Sequence, residues 1–108
     1  MCCVFADEAV RRPLDTWLPR VLAALPDEVY VTIDLDAFDP AIMPATGTPE
    51  PGGLDWYLAL DLLRAVAAAR RIVGFDVVEL APLPGNVAPV FLAAKLVYKL
   101  LGYSFHSR

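Results

Sequence analysis

The sequence predicts an α/β fold, a partial piece of a three-layer αβα architecture around a mostly parallel sheet, and three observations carry that reading. The apolar patterns run in the order strand, loop, helix, strand, loop, helix, an alternation that packs as parallel strands joined by helical crossovers. The first strand segment, 29–33, is β-branched and aromatic with almost no polar content, the look of a strand covered on both faces, and 72–78 reads as the second strand. Each runs into a loop dense in proline and glycine instead of a short turn, which places polar chain at the carboxyl ends of the strands, where open parallel sheets bind ligands.

Each element follows from local chemistry. Residues 15–25 read as a short helix with Asp15 or Thr16 as N-cap, Pro19 in its first turn, and Trp17, Val21, Leu22 and Leu25 as an apolar stripe. Pro26 and Asp27 end it before the first strand. Residues 34–53 hold Pro40, Pro44, Pro49, Pro51, Gly47, Gly52 and Gly53, which exclude a helix or long strand and predict an ordered loop. A loop that long inside a compact domain is usually functional. Asp55 caps a helix through Ala69, with Trp56, Ala59, Leu60, Leu63, Val66 and Ala67 at helical spacing. After the second strand, a second proline- and glycine-rich loop at 81–85 leads to Asn86 as N-cap and a helix through Leu101, with Gly102 expected at the C-cap. The sequence contains no internal repeat.

Composition narrows the function classes. The 108 residues suit one domain, 1–108, with one core. They are 57% hydrophobic and 20% charged, with a mean hydropathy of +0.51, an apolar excess that points to buried interface. A net charge of -4, with basic residues adjacent only at Arg11–Arg12 and Arg70–Arg71, argues against nucleic acid as a partner. No apolar stretch reaches the roughly 18–20 residues of a membrane span, and no secretory leader pattern opens the chain, so a soluble cytoplasmic protein is expected. Cys2 and Cys3 are adjacent, which suits unpaired thiols and no zinc site.

The polar residues that follow the strands are Asp34 and Asp36 after the first and Glu79 after the second. On an extended chain, positions i and i+2 project to the same side, so the two aspartates are expected to face one cavity while Leu35 points away. Two carboxylates held that close repel unless a cation lies between them, and hard oxygen donors favour magnesium, calcium or manganese. The same DxD, followed by Asp39 and Pro40, also suits a strand end entering an Asx turn. An EF-hand is excluded, because the glycine required at its sixth position is Asp39 here. A sugar-transferring enzyme using DxD has no supporting segment.

Three segments change the weight: TIDLDAFDP at 32–40, PATGTPEPGGL at 44–54 and GFDVVELAP at 74–82. In order and spacing they resemble the C-terminal signature segments of the ureohydrolases, the arginase and agmatinase family, over residues 29–103. The PEPGG and APLPGN stretches resemble agmatinases more than arginases. The resemblance implies that Asp34 and Asp36 are ligands of a binuclear manganese centre, with Thr32 standing where the family has serine. It further implies that Thr48 lines the substrate pocket and that Glu79 accepts hydrogen bonds from a guanidinium, a planar cation suited to a bidentate acceptor. The implied reaction is hydrolysis of an agmatine-like guanidino compound to urea and an amine by a metal-bridging hydroxide. Asp34, Asp36 and Glu79 are its candidate catalytic residues.

The resemblance also implies four further metal ligands, two histidines and two aspartates, from GGDHS-like and DAHxD-like segments that this sequence does not contain. Its one histidine, His106, lies in a polar tail and is expected to be solvated. The chain therefore reads as the C-terminal half of a ureohydrolase domain, inactive alone because two ligands do not complete a coordination shell. In the last helix Lys95 and Lys99 share one narrow face while Phe91, Leu92, Leu96, Val97, Tyr98, Leu100 and Leu101 spread over the rest. That predicts burial against a second copy of the chain or against the missing half. The alternative is a non-catalytic oligomerising module that keeps the fold and at most a weak divalent site. Both readings require the acidic strand tips to meet at one end of the sheet.

Overall fold

The computed structural model describes residues 1–106. Its elements are α1 (Ala6–Arg11), α2 (Leu14–Ala24), β1 (Glu28–Asp34), a 3₁₀ turn (Leu35–Ala37), α3 (Trp56–Ala69), β2 (Arg71–Val78) and α4 (Ala88–His106). The predicted βαβα order is present, with β1 and β2 paired in parallel. The short helix α1 precedes it, in a stretch where the sequence suggested no element.

The pairing has one irregularity, and it decides which side chains share a face. Val29 pairs with Ile72 but Tyr30 pairs with Gly74, so Val73 is an extra residue on β2. Because a one-residue shift inverts the faces, this bulge sets Thr32 opposite Asp76 and Asp34 opposite Val78. It also places Gly74 under the Tyr30 ring, where an added Cβ would lie 2.9 Å from a ring carbon.

Val31, Ile33, Phe75 and Val77 turn to the other face and pack against a core of Leu35, Phe38, Met43, Leu60, Leu63, Leu96 and Leu100. That core joins α3, α4 and the first long loop. A second cluster, Val29, Val66, Ala67 and Ile72, with Leu22 and Leu25 against it, brings in α2. The opposite face is open, with Tyr30, Thr32, Asp34 and Val78 exposed. The expectation that the first strand is covered on both faces is thus corrected for this chain, since its helices cover one side only.

Asp55 caps α3 as expected, its Oδ1 accepting from the Leu58 N–H at 2.7 Å, a contact typically worth about 1 kcal/mol. Two boundary expectations fail. Pro13, not Asp15 or Thr16, precedes α2, with the Thr16 hydroxyl donating to the Pro13 carbonyl. Pro13 lacks an N–H in any case and its fixed φ suits entry to a helix. Gly102 does not end α4, which runs to His106 because buried Ser104 and half-buried Tyr103 extend its packed face past the glycine. Asn86 acts two residues before the helix, accepting from the Ala88 N–H at 3.3 Å.

Candidate active site

The carboxyl end of β1 is shaped by one hydrogen bond and one anchor. Asp34 Oδ1 accepts from the Asp36 N–H at 3.0 Å, which turns the chain out of the strand into the 3₁₀ turn. Leu35, fully buried, holds that turn on the core. The expectation that Asp34 and Asp36 lie side by side on an extended chain is corrected here: they neighbour one another because Asp34 caps a tight turn. Leu35 does point away from them.

The loop that follows is tied together by Asp39. Its Oδ1 accepts from the Ala41 N–H at 2.9 Å, the Asx turn that the sequence left open. Its Oδ2 accepts from Gly52 and Gly53 N–H at 3.1 and 3.2 Å. Backbone bonds from Asp39 N–H to Leu54 and from Leu54 N–H to Ala37, both 2.9 Å, close the same neck. The Ala41 N–H above all, with those of Gly53 and Gly52, holds the Asp39 carboxyl below its ordinary pKa, against the opposing effect of partial desolvation. Gly53 is required at the neck, since a Cβ there would lie 2.5 Å from the Asp39 backbone nitrogen.

Two contacts bring the remaining candidates to the same end of the sheet. The Thr48 hydroxyl donates to Asp36 Oδ2, joining the ATGTP stretch to the 3₁₀ turn. The Ala81 N–H donates to the Ala45 carbonyl at 2.8 Å, stitching the chain just past Glu79 to the first loop. Because Asp34 pairs with Val78, Glu79 is the first residue beyond β2 and emerges beside Asp34. Its backbone is left-handed, φ 73, a conformation that costs a side-chain-bearing residue energy and concentrates at functional positions.

A further group on the open face was not anticipated from the sequence. Asp76 accepts from the Thr32 hydroxyl at 2.6 Å and the Tyr30 hydroxyl at 3.0 Å. The bond to Asp76, then desolvation and the nearby negative charge, raise the Tyr30 pKa. The bulge made this cluster, and bulges leave no mark in a strand's composition. Asp39 and Gly53 were equally hidden as a pair, although a solitary Asp before proline and a double glycine hinted at turns. Thr46, in the same loop, is buried with its hydroxyl unbonded.

Asp34, Asp36 and Glu79 offer hard oxygen donors, which suits a divalent cation in kind. In number they fall short: among the described residues, no group of three or more His, Cys, Asp or Glu is arranged to hold a metal ion. His106 is exposed, on the last turn of α4.

Comparison with known proteins agrees with this fold. Residues 1–102 match the model described as the arginase family, reaching well before the signature segments. The N(1)-aminopropylagmatine ureohydrolase of Synechocystis is 47% identical over 88 residues, covering 81% of this chain and 29% of that protein. The agmatinase of Pyrococcus horikoshii is 37% identical over 84 residues, covering 78% of this chain and 30% of that protein. In structure, the proclavaminate amidino hydrolase of Streptomyces clavuligerus superposes with a TM-score of 0.86 at 34% identity, over 97% of this chain and 36% of that one. The chain thus spans about a third of the length of the proteins it matches. With the signature loops folded at one end of a parallel strand pair and the family match running over nearly its whole length, the chain belongs to the arginase family.

Proposed function

We propose that this chain supplies the C-terminal part of a ureohydrolase active site that hydrolyses an agmatine-like guanidino compound to urea and an amine. The supporting observation is the meeting of Asp34, Asp36 and Thr48 with Glu79 at one end of the sheet. In this reading Asp34 and Asp36 are two of the ligands of a binuclear manganese site whose other ligands lie outside this chain. Thr48 holds Asp36 in place and lines the pocket, while Glu79 receives the substrate's N–H donors through its two carboxylate oxygens. The exposed Glu79 carboxylate, directed from a strained backbone position, suits a group held ready for a cation. Relatives named for aminopropylagmatine and for agmatine both match, so a guanidino group on a polyamine-like chain is the proposed substrate class. A cytoplasmic setting goes with that reading.

The chain alone is expected to bind manganese weakly and to release no urea from agmatine or N(1)-aminopropylagmatine. Turnover at about 1 per second or faster, an ordinary enzyme rate, would refute this. Supplied with a segment bearing the missing histidine and aspartate ligands, it should release urea, and Asp36→Asn or Glu79→Gln should cut the rate by roughly a hundredfold. An unaffected Glu79→Gln would remove Glu79 from the site. The shortage of ligands also favours a second reading, a non-catalytic oligomerising module. Calorimetric titration separates the two, since tight two-site manganese uptake by the supplemented chain is incompatible with the module.

A further inference from the structure

Three sulfur side chains, Met1, Cys2 and Cys3, are consecutive in the sequence, and the fold gathers them. With Arg20, Ala23 and Ala24 they line one surface cleft of about 630 Å³. Both cysteines are free thiols, Cys3 exposed and Cys2 half-buried. The Cys2 thiol ties this segment to α2 by donating to the Arg20 carbonyl at 3.7 Å, and α2 is itself fixed by Trp17, 2% exposed. From α1, Glu8 holds the Arg20 guanidinium at 2.5 Å. Hydrogen bonding to Glu8 above all, with a smaller contribution from Cys2, raises the Arg20 pKa. A permanent positive charge thus stands beside the thiols.

The donor set selects the ligand. Neighbouring Cα atoms lie about 3.8 Å apart, short of the roughly 4.4–6.8 Å that disulfides usually span, so a bond between the two thiols would be strained where a shared ion would not. Residues 1–5 belong to no helix or strand, which frees the two side chains from the alternation a strand would impose. Nothing completes a tetrahedral zinc shell, since among the described residues no group of three or more His, Cys, Asp or Glu is arranged to hold a metal ion. Thiolates and a thioether are soft donors that select copper(I), an ion satisfied by two or three ligands. We propose that Cys2 and Cys3 bind one copper(I) ion, with the Met1 thioether as third donor. Both S–H bonds break as two Cu–S bonds form, and the two protons leave to solvent. The complex carries one negative charge, which Arg20 balances. The cleft lies at the end of α2, toward the amino end of β1, whereas the candidate active site lies at the carboxyl end. The site is therefore independent of the proposed hydrolysis.

The test is titration of the 108-residue chain, reduced and free of oxygen, with copper(I) against a chromogenic copper(I) chelator. One equivalent should bind per chain, with a thiolate-to-copper charge-transfer band in the ultraviolet. Cys2→Ser and Cys3→Ser, each checked for folding by circular dichroism, should each weaken binding about a hundredfold or more, since a hydroxyl is a hard donor. Of the two methionine methyl resonances, that of Met1 should move when copper is added, while that of Met43, fully buried in the core, should stay. Absence of uptake, folded variants that bind as before, or one copper shared between two chains in sedimentation would overturn the site. Zinc displacing copper(I) at equal concentration would overturn the soft-ion class, and an unmoved Met1 resonance would remove the thioether from it.

Discussion

Glu79 carries two demands that pull in opposite directions. Its left-handed backbone, φ 73, costs about 1–2 kcal/mol for a residue with a Cβ, and within the described residues its side chain offers no hydrogen bond in return. Glycine would remove that cost while adding roughly 0.5–1 kcal/mol of unfolded-state entropy. Glu79→Gly should therefore stabilise the chain by about 0.5–1 kcal/mol in chemical denaturation while abolishing the proposed guanidinium contact. A destabilised variant would show that the carboxylate supports the fold instead. Asp39 serves stability directly. Its folded-state pKa is depressed, so its contribution is complete above the ordinary carboxylate pKa of about 4 and is lost as pH falls through the lower folded value. Asp39→Asn should melt below the wild type at neutral pH, with the gap closing in acid. A gap that stays constant from neutral to acid would exclude the charge as the cause.

At the scale of elements, the loops are as structured as the helices. The first long loop is closed at its neck by three backbone donors on Asp39 and stitched to the second by the bond from Ala81 to Ala45. Gly53 makes the neck possible, whereas Gly47 has open space around its Cβ position. Gly53→Ala should then cost about 1–3 kcal/mol, the range for forcing backbone aside, and Gly47→Ala less than about 0.5 kcal/mol. Equal effects in denaturant titrations would mean that the neck is not a close contact. The helices are governed by the opposite balance: α3 and α4 owe their place to the apolar stripes that meet over Val31, Ile33, Phe75 and Val77, and a poor capping residue such as Pro13 does not prevent α2 from forming.

For the whole molecule, the sheet is the incomplete part. Among the described residues it has two strands, and a groove of about 420 Å³, lined by Val21, Leu25, Phe38, Leu54, Leu62 and Leu63 among others, runs beside β1. Unpaired strand edges and apolar grooves are normally covered. With that edge unpaired, hydrogen exchange should be fast at the β1 amides pointing away from β2 and slow at those pointing toward it. Uniform protection along β1 would mean that copies pair through the sheet edge.

How far the sequence reached can be judged residue by residue. Periodicity and caps located α3 and both strands nearly to the residue, because a 3.6-residue stripe, an Asp at the N-cap and β-branched runs are local signals. The signature segments also named Asp34, Asp36, Thr48 and Glu79, and their order alone put them after strands. What needed three dimensions was every relation between segments: the bulge at Val73 that pairs Thr32 with Asp76, the clamp of Asp39 on Gly52 and Gly53, the left-handed turn at Glu79, and the continuation of α4 past Gly102. Local composition determines which element a segment forms, since that depends on a residue and its near neighbours. Register, clamps and strained turns are decided by contacts between residues distant in the chain, and those exist only once the chain has folded.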